Sequence, residues 1–190
     1  MALTTDIVTS AALRILADFG LGDLTMRRLA RELEVQPSAL YWHVADKQSL
    51  FVLLAQRIAQ EANMFSEGCD PIDGILRYRR VLLRYRESAD IVLLAFAHSG
   101  PDVLPASLTG LPAPASDLVP RYVLGSIAVQ QSRSLFGTLP DPETEGGPDD
   151  VAEASFRTGI ERLLAPDLPE AVVRAEDGAS QPPAPAPPRP

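Results

Sequence analysis

Apolar side chains in this chain recur three and four positions apart, in blocks that end at glycine or proline, and that spacing fits one face of an α-helix. Residues 5 to 19 carry Ile7, Val8, Ala11, Ala12, Ile15, Leu16 and Phe19 on such a stripe, and Gly20 stops it. No segment alternates apolar and polar residues as a half-buried strand does, and no internal repeat is evident. The chain is therefore expected to be all-α. Its 190 residues, 46% of them hydrophobic, suffice for one compact body, or for a small domain joined to a larger one through a continuous core.

The later blocks follow the same logic. Thr25 is the expected N-cap of a second helix, with Leu29, Ala30 and Leu33 inward and Arg27, Arg28 and Arg31 outward. Pro37 suits the first position of a short third helix, because Gln36 before it is pushed to the extended angles of an N-cap. Asp46 then caps a long helix from Lys47 to about Phe65, striped by Leu50, Leu53, Leu54, Ile58 and Ala62. After a break at residues 68 to 74, one or two helices are expected over Ile75 to Ala97. Pro101, Pro105, Pro112 and Pro114 make residues 100 to 116 a loop with a turn or two, before helices from Ser116 to Phe136 and from Asp150 to Leu164.

Between those two helices lies "PDPETEGGPDD", residues 140 to 150, acidic and expected to be mobile. The final "GASQPPAPAPPRP" has six prolines in 13 residues and reads as a disordered tail. The expected organisation is a small helical domain over residues 1–45, a connecting helix over 46–66, a larger helical domain over 67–168 and a Pro-rich tail over 169–190.

Charge narrows the function. A net −8 argues against indiscriminate coating of nucleic acid but leaves local binding open. Residues 1 to 63 hold six basic and seven acidic side chains, about −1, and the remainder 11 against 18, or −7, so the acid sits mostly in the C-terminal part. No run of 18 apolar residues is available for a bilayer, and the start "MALTTDIVTS" lacks the pattern of a secretory signal; no membrane partner is expected, and the cytoplasm is the expected compartment. One cysteine, Cys69, and two histidines, His43 and His98, make a poor metal set, and neither metal nor cofactor is expected. A helical-bundle enzyme would need a nucleophile with a base, or carboxylate and histidine ligands at helical spacing. No Glu-x-x-His and no phosphate-type glycine loop occurs.

Residues 25 to 44 supply two short helices joined at Glu34 to Gln36, the layout of a helix-turn-helix. Leu40 and Val44, four apart, anchor the second helix against Leu29, Leu33 and Val35, which turns Ser38, Tyr41 and Trp42 outward. Three consecutive rings, Tyr41, Trp42 and His43, cannot all face one core, since successive helical positions point about 100° apart. Beside Arg27, Arg28 and Lys47 an outward Tyr-Trp pair suits DNA: hydroxyl and imidazole donate to phosphates, arginine reads guanine, and apolar rings meet thymine methyls.

The stretch "LTMRRLARELEVQPSALYWHVADKQSL", residues 24 to 50, resembles the DNA-binding domain of the TetR family of transcriptional regulators, and "LYWHV" followed by "DK" resembles its tetracycline-repressor subclass. The resemblance implies a ligand-responsive homodimer, most simply a repressor, that binds palindromic double-stranded operator DNA and is released by a small-molecule effector. It further implies that Thr25, Arg27 and Arg28 touch backbone or bases, that Pro37, Ser38, Ala39, Leu40, Tyr41 and Trp42 meet base edges, and that Tyr41, His43 and Lys47 hold phosphates. Glu34 stands where the family commonly has glycine, a substitution that costs about 1 kcal/mol if left-handed angles are needed, and a looser or differently shaped turn is expected. The alternative is a helical protein–protein adaptor that uses the same fold without DNA.

"LLRYRESAD" and "FRTGIERLL" resemble the C-terminal domain of the same subclass, whose two drug-contacting positions and one magnesium-ligating position fall on Ala62, Gly74 and Val92. A tight tetracycline response is therefore not expected. Phe65, Tyr78, Leu82, Tyr85 and Phe96, with His98, are the candidate lining of a site for a largely apolar or aromatic effector. Arg77, Arg79, Arg80, Arg84 and Arg86 read as solvated surface, with an anion site as the alternative.

Overall fold

The computed structural model describes residues 3–64, 70–135 and 148–165, and every regular element in them is helical, as the apolar spacing requires. Helix α1 (Thr5–Phe19) begins at Thr4, whose hydroxyl accepts from the Ile7 N–H, and ends at Gly20, where φ of +83° is easiest for glycine. Helices α2 (Met26–Glu32) and α3 (Pro37–Tyr41) follow, then the long α4 (Lys47–Asn63). The expected caps Thr25, Gln36 and Asp46 stand where the sequence places them, Thr25 accepting from Arg28 N–H and Asp46 from Ser49 N–H.

The region 75 to 97 resolves into two helices, α5 (Pro71–Leu83) and α6 (Ser88–Ser99), broken by a turn in which Glu87 takes a left-handed φ of +53°. Within the proline-rich stretch are a 3₁₀ turn (Gly100–Val103) and the one-turn helix α7 (Ala106–Thr109). Helices α8 (Ala115–Leu135) and α9 (Pro148–Leu164) close the body.

One core runs through the molecule, from Val8, Leu16, Leu24, Leu29 and Leu40 through Leu50, Leu54 and Ile58 to Ile75, Leu82, Val92, Leu124 and Ile160. Helix α4 is its spine, packing on α1 on one side and on α5 and α6 on the other, while α8 lies on α6 and α9 on α8. Phe19, expected on the inner stripe of α1, is instead half exposed and covered by the Arg28 guanidinium, 3.9 Å above its ring.

The break between α5 and α6 is held by Gln131 of α8. Its amide nitrogen donates to Tyr85 O at 2.7 Å and Leu82 O at 3.2 Å, and its carbonyl oxygen accepts from Ala89 N–H at 3.2 Å. One buried side chain thus satisfies backbone groups that the end of one helix and the start of the next leave without helical partners. Phe65, the 136–147 segment and the tail from residue 166 lie outside the described residues.

Candidate nucleic-acid interface

The joint between α2 and α3 is tight. Glu34 adopts φ of +53°, its N–H donates to Arg31 O at 3.2 Å, and Val35 N–H donates to Ala30 O at 3.0 Å. The expectation of a looser turn is corrected: the backbone keeps the left-handed bend, and a non-glycine residue bears its cost of roughly 1–2 kcal/mol. Burial of Leu29, Leu40 and Val44, each at most 1% exposed, offsets that cost, since each buried aliphatic side chain contributes about 1.5–3 kcal/mol.

That anchoring decides which face of α3 is free. Trp42 is 89% exposed and Tyr41 53%, with Pro37 and Ser38 also exposed and Ala39 and His43 half-buried. Leu40 has no accessible surface; its place among the base-contacting residues is corrected, because its side chain is a core anchor. An 89%-exposed indole leaves most of its apolar surface in water, which no packing within the chain explains.

The basic residues divide. Arg27 is exposed, on the outer side of α2. Arg28 is held by the Asp23 carboxylate and stacked on Phe19, its side chain 23% exposed, so it meets a phosphate only by exchanging a partner it already has. Lys47, at the start of α4 and exposed, lies with Nζ 5.4 Å from the centre of the Phe51 ring. The Ser49 N–H donating at 2.7 Å into the Asp46 carboxylate lowers that acid's pKa, with a smaller contribution from the nearby His98, so the cap stays ionised.

The expected effector lining is corrected at several positions. Tyr78 and Leu82 have no accessible surface and pack in the core. Phe96 is half-buried and His98 exposed, and the Tyr85 hydroxyl donates to Glu61 at 3.1 Å. Two cavities lie elsewhere: one of about 190 Å³ beside Gly74, Ser107 and Leu111, and one of about 650 Å³ between α5, α8 and α9. Of the three positions that bear on tetracycline, Ala62 and Val92 are buried aliphatics, and a β-carbon on Gly74 would stand 2.6 Å from that of Ser107, so a larger polar side chain has no room there.

Sequence reasoning missed Asp23 as the keeper of Arg28, and Gln131. Gln131 was visible in principle, as a polar residue continuing the buried Leu124–Ile127 stripe of α8 at helical spacing. Asp23 was not, since its reach to Arg28 depends on the bend of the loop before α2.

A three-helix reading head with an outward aromatic pair, on a larger helical body, defines a helix-turn-helix regulator of the two-part bacterial kind. The chain belongs to the TetR family: residues 8–54 match the bacterial regulatory proteins of the tetR family. It is 36% identical over 98 residues to the class D tetracycline repressor protein of Escherichia coli, a match covering 48% of this chain and 45% of that protein. The chain thus spans about half the length of the first such curated relatives it matches. Solved structures are covered more fully. Mycobacterium smegmatis BioQ superimposes with a TM-score of 0.64 at 30% identity, covering 86% of this chain and 96% of that one. A BioQ structure with its natural double-stranded DNA operator gives 0.63 at 31% identity, over 86% and 96%. A TetR variant from Acinetobacter baumannii in complex with minocycline gives 0.61 at 28%, over 86% and 95%. Proteins of this family are transcriptional regulators rather than enzymes, and no described helix is long and apolar enough to cross a membrane.

Proposed function

We propose that the chain is a ligand-responsive transcriptional repressor of the cytoplasm that binds a palindromic operator as a homodimer. The observation that carries this reading is the outward Tyr41–Trp42 pair on α3, flanked by Arg27 and Lys47 and backed by the buried Leu40. In the reading, Pro37, Ser38, Ala39 and Trp42 meet base edges in the major groove. Arg27 reads a base, and Thr25, Tyr41, His43 and Lys47 hold the phosphates on either side. Arg28 takes part by trading Asp23 for a phosphate. The BioQ complex with its operator supports the DNA reading by similarity.

The dimer pairs α8 and α9 of two chains as a four-helix interface; Val129, Leu135 and Val151 stand 52%, 44% and 41% exposed on those helices. Repression is steric exclusion of polymerase, and a small molecule relieves it by changing the separation of the two recognition helices. Tetracycline is not that molecule, given the apolar or crowded positions at Ala62, Gly74 and Val92.

Selection of genomic fragments by the purified chain tests the reading. One enriched palindrome, bound by a dimer in sedimentation, is expected; fragments no better than random DNA at physiological salt would overturn it.

A further inference from the structure

The larger cavity has the volume of a small-molecule site, about 650 Å³ where ligand pockets run from roughly 300 to 1,000 Å³, whereas the cavity at Gly74 is too small. Its chemistry differs from the rest of the C-terminal part, which is acidic. Four arginines line it, Arg79, Arg80, Arg84 and Arg86, against three carboxylates, Glu87, Asp150 and Glu153, which leaves +1 in a region of net −7. Glu153 serves two guanidiniums at once, accepting from Arg79 at 3.2 Å and from Arg80 at 2.7 Å, and the Glu87 carboxylate is turned away to the Leu21 N–H at 2.8 Å. Arg86 has no ion pair among the described residues. Leu83 adds an apolar wall.

The same wall holds the reading head. Arg84 pairs with Glu61 of α4, the helix that begins at the DNA-facing Lys47, and Glu61 also accepts from Tyr85. Glu87 reaches across to the turn between α1 and α2. Its carboxylate oxygen lies 2.5 Å from where a β-carbon on Gly20 would stand, so the contact needs glycine at that position. Glu87 holds a left-handed φ of +53°, which costs roughly 1–2 kcal/mol and persists only while its contacts over-determine it.

We propose that the cleft between α5, α8 and α9 is the effector site, that it takes a small organic anion with an apolar body, and that the turn Arg84–Glu87 carries the signal to the reading head. A carboxylate or sulfonate bound by Arg80 and Arg86 draws Arg84 from Glu61, exchanging one charge-assisted pair for another. The turn then shifts, the strained Glu87 relaxes, and Leu21 loses its acceptor. The anion acts because the displaced turn binds it better than the resting one. The assignment of release rests on the repressor reading above; the assignment of the site does not.

The test uses the full chain with two probes of similar body, 8-anilinonaphthalene-1-sulfonate and the neutral N-phenyl-1-naphthylamine. The sulfonate should bind once per chain. Arg86→Gln should weaken it by roughly tenfold or more, the loss of one charge-assisted contact, Arg86→Lys by less, and the neutral probe should be indifferent to both. Glu61→Ala, outside the cleft, removes the partner of Arg84 and should still bind the sulfonate once per chain, yet its operator affinity should no longer respond to it. Equal binding of both probes, or a sulfonate affinity unmoved by Arg86→Gln, overturns the site; sulfonate-induced release retained in Glu61→Ala overturns the route. Operator binding of the unliganded chain, measured alongside, separates failure of the repressor reading from failure of the site.

Discussion

The Tyr122 phenol of α8 occupies the space that a β-carbon on Gly159 of α9 would need, and its ring stacks on Phe156 one turn earlier, centroids 5.8 Å apart. Gly159 therefore sets how closely the two helices approach. Elsewhere in a helix, alanine in place of glycine stabilises by about 1 kcal/mol. Here the obstacle is a half-buried ring that cannot swing aside freely.

Gly159→Ala is expected to destabilise the chain by about 1–3 kcal/mol, the usual penalty of overpacking. In a Tyr122→Ala background the same change should become neutral or mildly stabilising. Urea unfolding of the four proteins checks this, and additive effects would show that the two residues do not compete for space.

Gln131→Leu is expected to cost at least about 2 kcal/mol, because it strands the buried Ala89 N–H and removes the donor to Tyr85 O. Hydrogen exchange should show the Arg84–Ala89 turn opening more readily. A variant as stable as the original would mean that the turn is held by other contacts.

The spacing of apolar residues revealed the helices, and the caps Thr25, Asp46 and Gly20 were readable because each acts on backbone within three or four positions. The outward face of α3 was legible for the same reason: Leu40 and Val44 fix it from four residues apart. The ligand half was not. Tyr78 and Leu82 read as pocket lining because aromatic and aliphatic residues line pockets and fill cores alike, and only the closing of α4, α5 and α6 on one another decides between the two. Glu87 and Leu21 lie 66 positions apart, so no local pattern joins them.

Arg27→Ala is expected to cost roughly 1–3 kcal/mol on the preferred operator and to relax one base preference. Lys47→Ala should weaken every sequence alike and lower the salt slope by about one. Binding isotherms on specific and random duplexes at several salt concentrations check this. Equal losses on both duplexes for both variants would remove Arg27 from base reading.

Tyr78 gives a prediction in pH. Its ring has no accessible surface, its hydroxyl has no hydrogen-bond partner among the described residues, and burial pushes its ionisation well above the ordinary phenol value. Below about pH 10 the phenol is neutral in both folded and unfolded chains, so it makes stability no steeper in pH. Above that value the unfolded chain gives up a proton that the folded chain retains, and stability falls with pH at up to about 1.4 kcal/mol per unit from this residue. Tyr85, pushed up by partial burial and by Glu61, adds in the same direction, so the difference between two proteins isolates Tyr78. Tyr78→Phe removes an unpaired buried hydroxyl and should be neutral or stabilising by about 1 kcal/mol at pH 7. Its alkaline loss of stability should be shallower by one proton's worth. Denaturant midpoints from pH 8 to 11 measure both, and parallel curves for the two proteins would mean that the Tyr78 phenol ionises as readily in the folded chain as in the unfolded one.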